Sequence, residues 1–257
     1  AGWKPSGDGS LLAYAVQDGG SDWRTLKVLD VETGEVKSDT VLWAKFTDMI
    51  WMPKNVGFLY SRFREPDEGE AFQSLNTDHS VYLHLVGNDQ AKDLKVYATP
   101  DQPELNHFAE LTSDKEWVMI ASASGTDERV ELTMIKVDAP ELETRKLVSG
   151  FDYDWRLIDG VGDTLYFTTN KDAPRLRVVK IDMGADEPEF IELVAEGDAV
   201  INGAMIVGDR LVVSYLVDAK SQLSTFDLDG KALGTLDLTG PGQVTSLSGS
   251  MKSEEGF

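Results

Sequence analysis

The chain contains no cysteine. Disulfides, thiolate metal sites and cysteine nucleophiles are excluded, and either a reducing or an oxidising compartment suits it. Histidine is scarce: only His79, His84 and His107 occur. No two stand four residues apart, so the helical zinc-protease pattern is missing. Positive charge is also short. Lys and Arg total 24 against 45 Asp and Glu, a formal net charge of −21. Such a chain repels phosphate backbones and anionic membranes, so nucleic acid is not an expected partner. No apolar run approaches the roughly 20 residues a membrane helix needs. The longest, such as Leu211-Val212-Val213, have strand length, and no membrane partner is expected. The start, Ala1-Gly2-Trp3-Lys4-Pro5, has no signal-peptide pattern. The expectation is a soluble protein of the cytoplasm or periplasm.

What the chain does have is repetition. A polar turn followed by a β-rich run recurs five times, with first apolar positions Leu11, Phe58, Trp117, Leu165 and Leu211. The separations are 47, 59, 48 and 46 residues. A second β-rich element follows each: Leu26–Val31, Val81–Val86, Leu132–Asp138, Arg177–Asp182 and Leu223–Leu228. These runs are rich in β-branched and aromatic residues and end in turn residues. No window shows a sustained helical period with caps.

A repeat near 47 residues holding about four short strands predicts an all-β fold of β-propeller blades, each a four-stranded antiparallel sheet. The expected blades are residues 1–41, 42–100, 101–149, 150–197 and 198–240, with 241–257 starting a further blade as an orphan strand. Inner strands are expected near Ile50, Phe108, Trp155, Ile201 and Leu247. The longest interval carries the charged insertion Arg64–Glu70 inside the second blade. Five blades and an orphan strand make an open arc. Leu11, Ala13, Leu26 and Val28 at one end, and Leu223, Phe226 and Leu228 at the other, are then expected to be uncapped. Self-association through those open faces is the corresponding partner expectation.

Catalytic motifs are sparse. No G-x-S-x-G nucleophile elbow occurs. Ser122-Ala123-Ser124-Gly125 and Ser248-Gly249-Ser250 come nearest and read as turns. His84 reads as a strand histidine facing solvent or a hydrogen-bond partner. Asp152-Tyr153-Asp154 and Asp186-Glu187 miss the calcium-loop spacing and read as solvated loops. Gly160-Val161-Gly162 lacks the third glycine of a dinucleotide site. No catalytic residue, metal site or cofactor is expected on this chain.

Several segments carry a resemblance that covers essentially the whole chain and is most specific in its first hundred residues. Asp8–Tyr14 with Asp18–Arg24, then Trp43-Ala44-Lys45-Phe46, Tyr60-Ser61-Arg62-Phe63, Glu68–Asn76 and Pro100-Asp101-Gln102-Pro103 closely resemble the propeller of prolyl oligopeptidases. Gly125-Thr126-Asp127 and Asp218–Ser221 fit as well. The resemblance implies part of a seven-bladed propeller from a two-domain serine peptidase that cleaves short peptides after proline. It implies an α/β-hydrolase catalytic domain, missing here, as the partner in the same polypeptide, and short proline-containing peptides as substrates of the full enzyme. The propeller in that family restricts access to the catalytic domain. A stand-alone propeller scaffold binding peptide or protein through its central opening is the alternative. The family places an aromatic of the outer substrate subsites at Phe46, which could also be an ordinary core aromatic. Other family contacts fall near Asn106, Glu131 and Ile135, where the residues do not match the pattern, so no role carries over.

Overall fold

The structure, a computed structural model, describes residues 2–17, 19, 21–67, 76–139, 142–238, 240, 242–247 and 249. The described part of the chain is all-β, with two short 3-10 turns, Pro53–Asn55 and Gln90–Lys92, as its helical content. None of its helices is long and apolar enough to cross a membrane. Two compact units are present.

In the first unit, β1 (Trp3–Pro5), β2 (Leu11–Gln17), β3 (Arg24–Asp30) and β4 (Val36–Ala44) form an antiparallel meander. The strands β5 (Ile50–Trp51), β6 (Gly57–Arg62), β7 (Ser80–Leu85) and β8 (Leu94–Tyr97) form a second meander. Next come β9 (Leu105–Leu111), β10 (Trp117–Ser124), β11 (Val130–Lys136) and β12 (Thr144–Val148), a four-stranded sheet. The second unit holds two more four-stranded sheets. One is β13 (Trp155–Val161), β14 (Thr164–Thr169), β15 (Arg177–Asp182) and β16 (Ile191–Val194). The other is β17 (Val200–Val207), β18 (Arg210–Val217), β19 (Lys220–Asp227) and β20 (Ala232–Leu236). Within each sheet the strands are paired in chain order.

The five repeat positions open β2 or lie near the start of β6, β10, β14 and β18, the second strand of each meander. The continuous apolar runs there are explained by burial on both faces. Gly57–Ser61 is wholly buried, as are Trp117–Ile120, Leu165–Thr169 and Leu211–Ser214. Apart from β4, the fourth strands lie at sheet edges and are largely exposed; Lys95, Arg145, Lys146 and Glu192 lie on them. Charges on an edge discourage pairing with other chains.

The first two meanders are joined. Ala44 pairs with Arg62, so β4 continues into the sheet of β6. The cause is the shortness of β5, which pairs only with Phe58 and Leu59. The rest of β6 would lack a neighbour, and buried backbone groups must be paired. Ala44 and the Thr47 hydroxyl fill the gap, the latter accepting from Ser61 N at 2.7 Å.

The residues expected to be bare are covered. Ala13, Leu26 and Val28 are at most 1% exposed and pack with Met49, Trp51, Phe58 and Tyr60, with Leu11 against their edge. Leu223 is buried, and Phe226 and Leu228 pack against a core of Ile201, Ile206, Leu211 and Val213. Ala13, Leu26 and Val28 thus meet the neighbouring meander, and Phe226 packs on the face of β18 that carries Leu211, while Leu223 pairs with Ser214 on the other face. The strand expected around Leu247 does not form. Residues 243–247 have no strand conformation, although Val244 N donates to Ser221 Oγ at 2.8 Å. Ser122 and Ser124 lie in β10, and Gly125 supplies the turn. Asp154 is buried and paired with Arg156 at 2.8 Å, not solvated, because its backbone N–H is drawn in to Asn170 Oδ1. Asp186 and Glu187 are exposed. Ser248, Ser250 and most of the matching stretch Glu68–Asn76 fall outside the described residues.

All three histidines are buried, in two opposite charge states. His84 is 0% exposed. Its Nδ1 lies 2.8 Å from Asp93 Oδ1 and its Nε2 3.0 Å from Asp39 Oδ1. A neutral imidazole donates from one nitrogen only, so two facing carboxylates call for imidazolium. Burial pulls its pKa down, but the hydrogen bonds to Asp93 and Asp39 outweigh it and hold the pKa above the ordinary value. Tyr60 donates its hydroxyl to the other Asp93 oxygen at 2.7 Å. The cluster ties β4, β7 and the turn before β8 together. Gly57 is needed beside it: a Cβ there would lie 2.0 Å from the His84 carbonyl oxygen. The solvent-facing option for His84 is thus overturned; the hydrogen-bond option stands.

His79 and His107 are neutral. The His107 backbone N–H donates to His79 Nδ1 at 2.8 Å, leaving His79 Nε2–H to donate to the Lys45 carbonyl at 3.1 Å. His107 bridges Ser122 Oγ and Thr99 Oγ1 at 2.9 and 3.0 Å. Burial lowers both pKa values to about 4.

These states give opposite pH dependences. His79 and His107 contribute stability in full above the ordinary value of 6.5, and that contribution is lost as pH falls toward 4. His84 contributes in full below 6.5, and its contribution is lost as pH rises through its raised pKa. Urea midpoints measured from acid to alkaline pH should fall on both sides of a plateau. His84→Gln leaves buried carboxylates uncompensated and should cost on the order of 3 kcal/mol at neutral pH, while flattening the alkaline decline. An unchanged alkaline decline would refute the imidazolium assignment. His107→Gln should flatten the acid decline instead.

Candidate functional site

Phe46 lies just beyond β4 and is 48% exposed, an unusual position for a large aromatic. Its backbone is left-handed, with φ 52°, as is that of Trp43, with φ 62°. Such conformations are strained for bulky residues and cluster at functional sites. The β3–β4 register explains where they arise. Arg24 faces Ala44 and Leu26 faces Val41, so β4 carries one extra residue in a bulge. The bulge and the Ala44–Arg62 pairing turn the chain so that Lys45 goes inward and Phe46 outward.

Packing holds this turn. The His79 ring donates to the Lys45 carbonyl. The Lys45 ammonium, on a side chain 11% exposed, lies 5.1 Å from the Phe46 ring centre, 5.3 Å from that of Trp23 and 3.5 Å from Asp22. Trp23 meets Trp43 edge-on at 5.7 Å and Phe63 at 6.2 Å. Phe46 meets Phe63 edge-on at 6.0 Å, and Phe63 lies 4.4 Å from the His79 ring. His79 in turn reaches Phe108, 38% exposed, at 6.2 Å. The result is an aromatic shelf with one cation set into it. Such a surface offers apolar contact area and a cation–π anchor. It suits an apolar side chain or a proline ring.

The alternative reading of Phe46 as a core aromatic fits Phe63 instead, which is 2% exposed. Trp23, Trp43, Lys45, Phe63 and His79 were not singled out as site residues. The Trp-Ala-Lys-Phe and Tyr-Ser-Arg-Phe runs carried half of the signal, but Trp23 and His79 come from the segments just before β3 and β7. Ile135 is in the core at 1% exposure, and Glu131 is paired with Lys146 at 2.8 Å. The Ser122–His107 contact resembles half of a nucleophile pair, yet both residues are fully buried and serve packing. Among the described residues, no three His, Asp or Glu side chains converge as metal ligands would.

The family model for the N-terminal β-propeller domain of prolyl oligopeptidase matches residues 1–257. A prolyl endopeptidase of Elizabethkingia meningoseptica is 31% identical over 242 residues, covering 94% of this chain and 34% of that protein. A solved structure from work on two prolyl endopeptidases, their inter-domain dynamics, catalysis and specificity superposes with TM-score 0.90 at 40% identity, over 97% of this chain and 36% of the other. Prolyl oligopeptidase B from Galerina marginata, bound to a 25mer macrocyclization substrate, superposes with TM-score 0.88 at 27% identity, over 98% of this chain and 37% of the other. The chain therefore spans about a third of the length of the relatives it matches. With its repeated four-stranded sheets matched across this length, the chain belongs to the prolyl oligopeptidase family, in the N-terminal β-propeller domain.

Proposed function

We propose that this chain is the substrate-gating propeller of a serine peptidase that cleaves short peptides after proline. Its partner is an α/β-hydrolase domain of the same polypeptide, which supplies the chemistry. The propeller excludes folded proteins from that domain and contributes one outer contact to the peptide. Phe46 makes that contact. The observation that carries this reading is the exposed, strained Phe46 on the aromatic shelf, at the position where the family resemblance puts a substrate-lining aromatic. An ordinary core residue would not be half-exposed with its backbone in the left-handed region.

Two measurements test the reading. The 257-residue chain alone should not turn over a proline chromogenic peptide, since acyl transfer needs a nucleophile, a base and an orienting acid held together. Inhibitor-sensitive turnover by the pure chain would overturn the division of labour. In the enzyme that joins this propeller to its hydrolase domain, Phe46→Ala should raise KM roughly fivefold to thirtyfold for peptides reaching the shelf. It should leave kcat unchanged, because the contact is the same in ground and transition states. A minimal proline substrate should be unaffected. Equal effects on both substrates, or none on either, would remove Phe46 from the substrate path.

A further inference from the structure

One face of the second meander carries an unusual set of side chains. Tyr60 and Arg62 alternate on β6; Tyr60 faces Tyr82 across the β6–β7 ladder, and Tyr82 faces Lys95 across the β7–β8 ladder. The two tyrosine rings stack at 5.8 Å, with 25° between their planes. The Arg62 guanidinium lies 4.4 Å from the Tyr82 ring centre and the Lys95 ammonium 5.7 Å from it. Tyr60 is anchored by its hydrogen bond to Asp93. The Arg62 head is thus seated on a stack that is itself pinned at its base.

This face lines a cavity of about 430 Å³, which also takes in Arg64, Glu65 and Asp78. That volume lies within the usual range for small-ligand pockets. Among the described residues, none of Arg62, Arg64 and Lys95 has a carboxylate within ion-pair distance. Arg62 Nε is shielded from solvent and has no hydrogen-bond partner. A guanidinium N–H left without an acceptor is a costly feature. Three cations gathered without a carboxylate partner among the described residues also run against the charge of the chain, where acidic residues outnumber basic ones 45 to 24.

We propose that this cavity is a binding site for the carboxylate of a peptide. A guanidinium stacked on an aromatic ring keeps its in-plane N–H edge free, and that edge matches a planar carboxylate in two parallel hydrogen bonds. Arg62 supplies this fork, and Lys95 adds a second positive charge across the ring. The lining charges select for a monoanion. Three cations against Glu65 and Asp78 leave one net positive charge, which balances a carboxylate and disfavours a phosphate dianion. The carboxylate comes from a peptide C-terminus or from an acidic side chain; both present the same group to Arg62. The inference does not depend on the role proposed for Phe46.

Calorimetric titration of the chain tests it, with N-acetylglycylglycine for a C-terminal carboxylate and N-acetylglutamate α-amide for a side-chain carboxylate. N-acetylglycylglycine amide and inorganic phosphate are the controls. At least one acid should bind saturably, and whichever does so identifies the source. The neutral amide should bind more than about tenfold more weakly, and added salt should weaken the acid. Arg62→Gln should lose about tenfold or more, and Lys95→Gln should lose less. Arg62→Lys, which keeps the charge but not the fork, should fall between wild type and Arg62→Gln. Thermal midpoints confirm that each variant is folded, and if Arg62→Gln does not fold, Arg62→Lys and Lys95→Gln carry the test. The proposal is overturned if neither acid saturates, if amide and acid bind alike, if phosphate binds more tightly than both acids, or if the folded variants bind like wild type.

Discussion

Strand β6 is buried on both faces from Gly57 to Ser61. Gly57 through Ser61 are buried, so each backbone group along it needs a partner from the protein. On one side β7 supplies a full ladder from Gly57 to Arg62. On the other, the two residues of β5 reach only Phe58 and Leu59. The remaining half is met by Ala44, the last residue of β4, and by the Thr47 side chain. That substitution bends the chain at Trp43–Phe46 and presents Phe46 outward. The same strand carries Tyr60 and Arg62, which meet Tyr82 in the tyrosine stack. Both features worth testing for binding follow from one short inner strand.

Electrostatics sorts the buried polar groups by what surrounds them. His84 has a carboxylate at each ring nitrogen and carries a proton. His79 and His107, a few strands away, have carbonyl, hydroxyl and backbone amide partners and stay neutral. Desolvation acts on all three; only a compensating anion reverses its direction. Neutrality of His79 matters to the shelf, since its single ring N–H fixes the Lys45 carbonyl and so the turn that leads to Phe46. The Lys45 ammonium makes the complementary choice. It is nearly buried, and its charge is shared among Asp22 and two aromatic faces.

The sheets were legible in the sequence where burial was two-sided. Phe58, Trp117, Leu165 and Leu211 begin apolar runs that no half-exposed strand would tolerate. The inner strands were harder. Trp155 and Ile201 lie in strands of seven and eight residues, whereas Ile50 lies in one of only two residues and Leu247 in none. A short apolar run says nothing about whether a partner strand waits beside it. The Asp39–His84–Asp93 cluster left no trace, because Asp39 sits 45 residues from His84 and an isolated buried acid looks like a surface acid. Ser122 was read as part of a turn on account of Gly125, although the turn begins after Ser124. Phe46 could be picked out only through its resemblance to a known family. Its supports, Trp23 and His79, are distant in sequence and meet it only after β4 bends.

Among the described residues, Arg62 has no carboxylate partner, even in so acidic a chain. An exposed arginine would find a carboxylate at little cost, and such surface pairs contribute little. Arg62 is not free to search. Its strand position is set by pairing with Ser80 on one side and Ala44 on the other, and its head is held over Tyr82. Asp93, an acid on the neighbouring turn, is already engaged by Tyr60 and His84. Asp93 is therefore committed to the protonated histidine, and Glu65 and Asp78, which line the cavity, make no ion pair to Arg62 among the described residues. An arginine kept rigid and unpaired in this way is pre-organised for an incoming carboxylate, because the entropy of ordering it is lost on folding and not on binding.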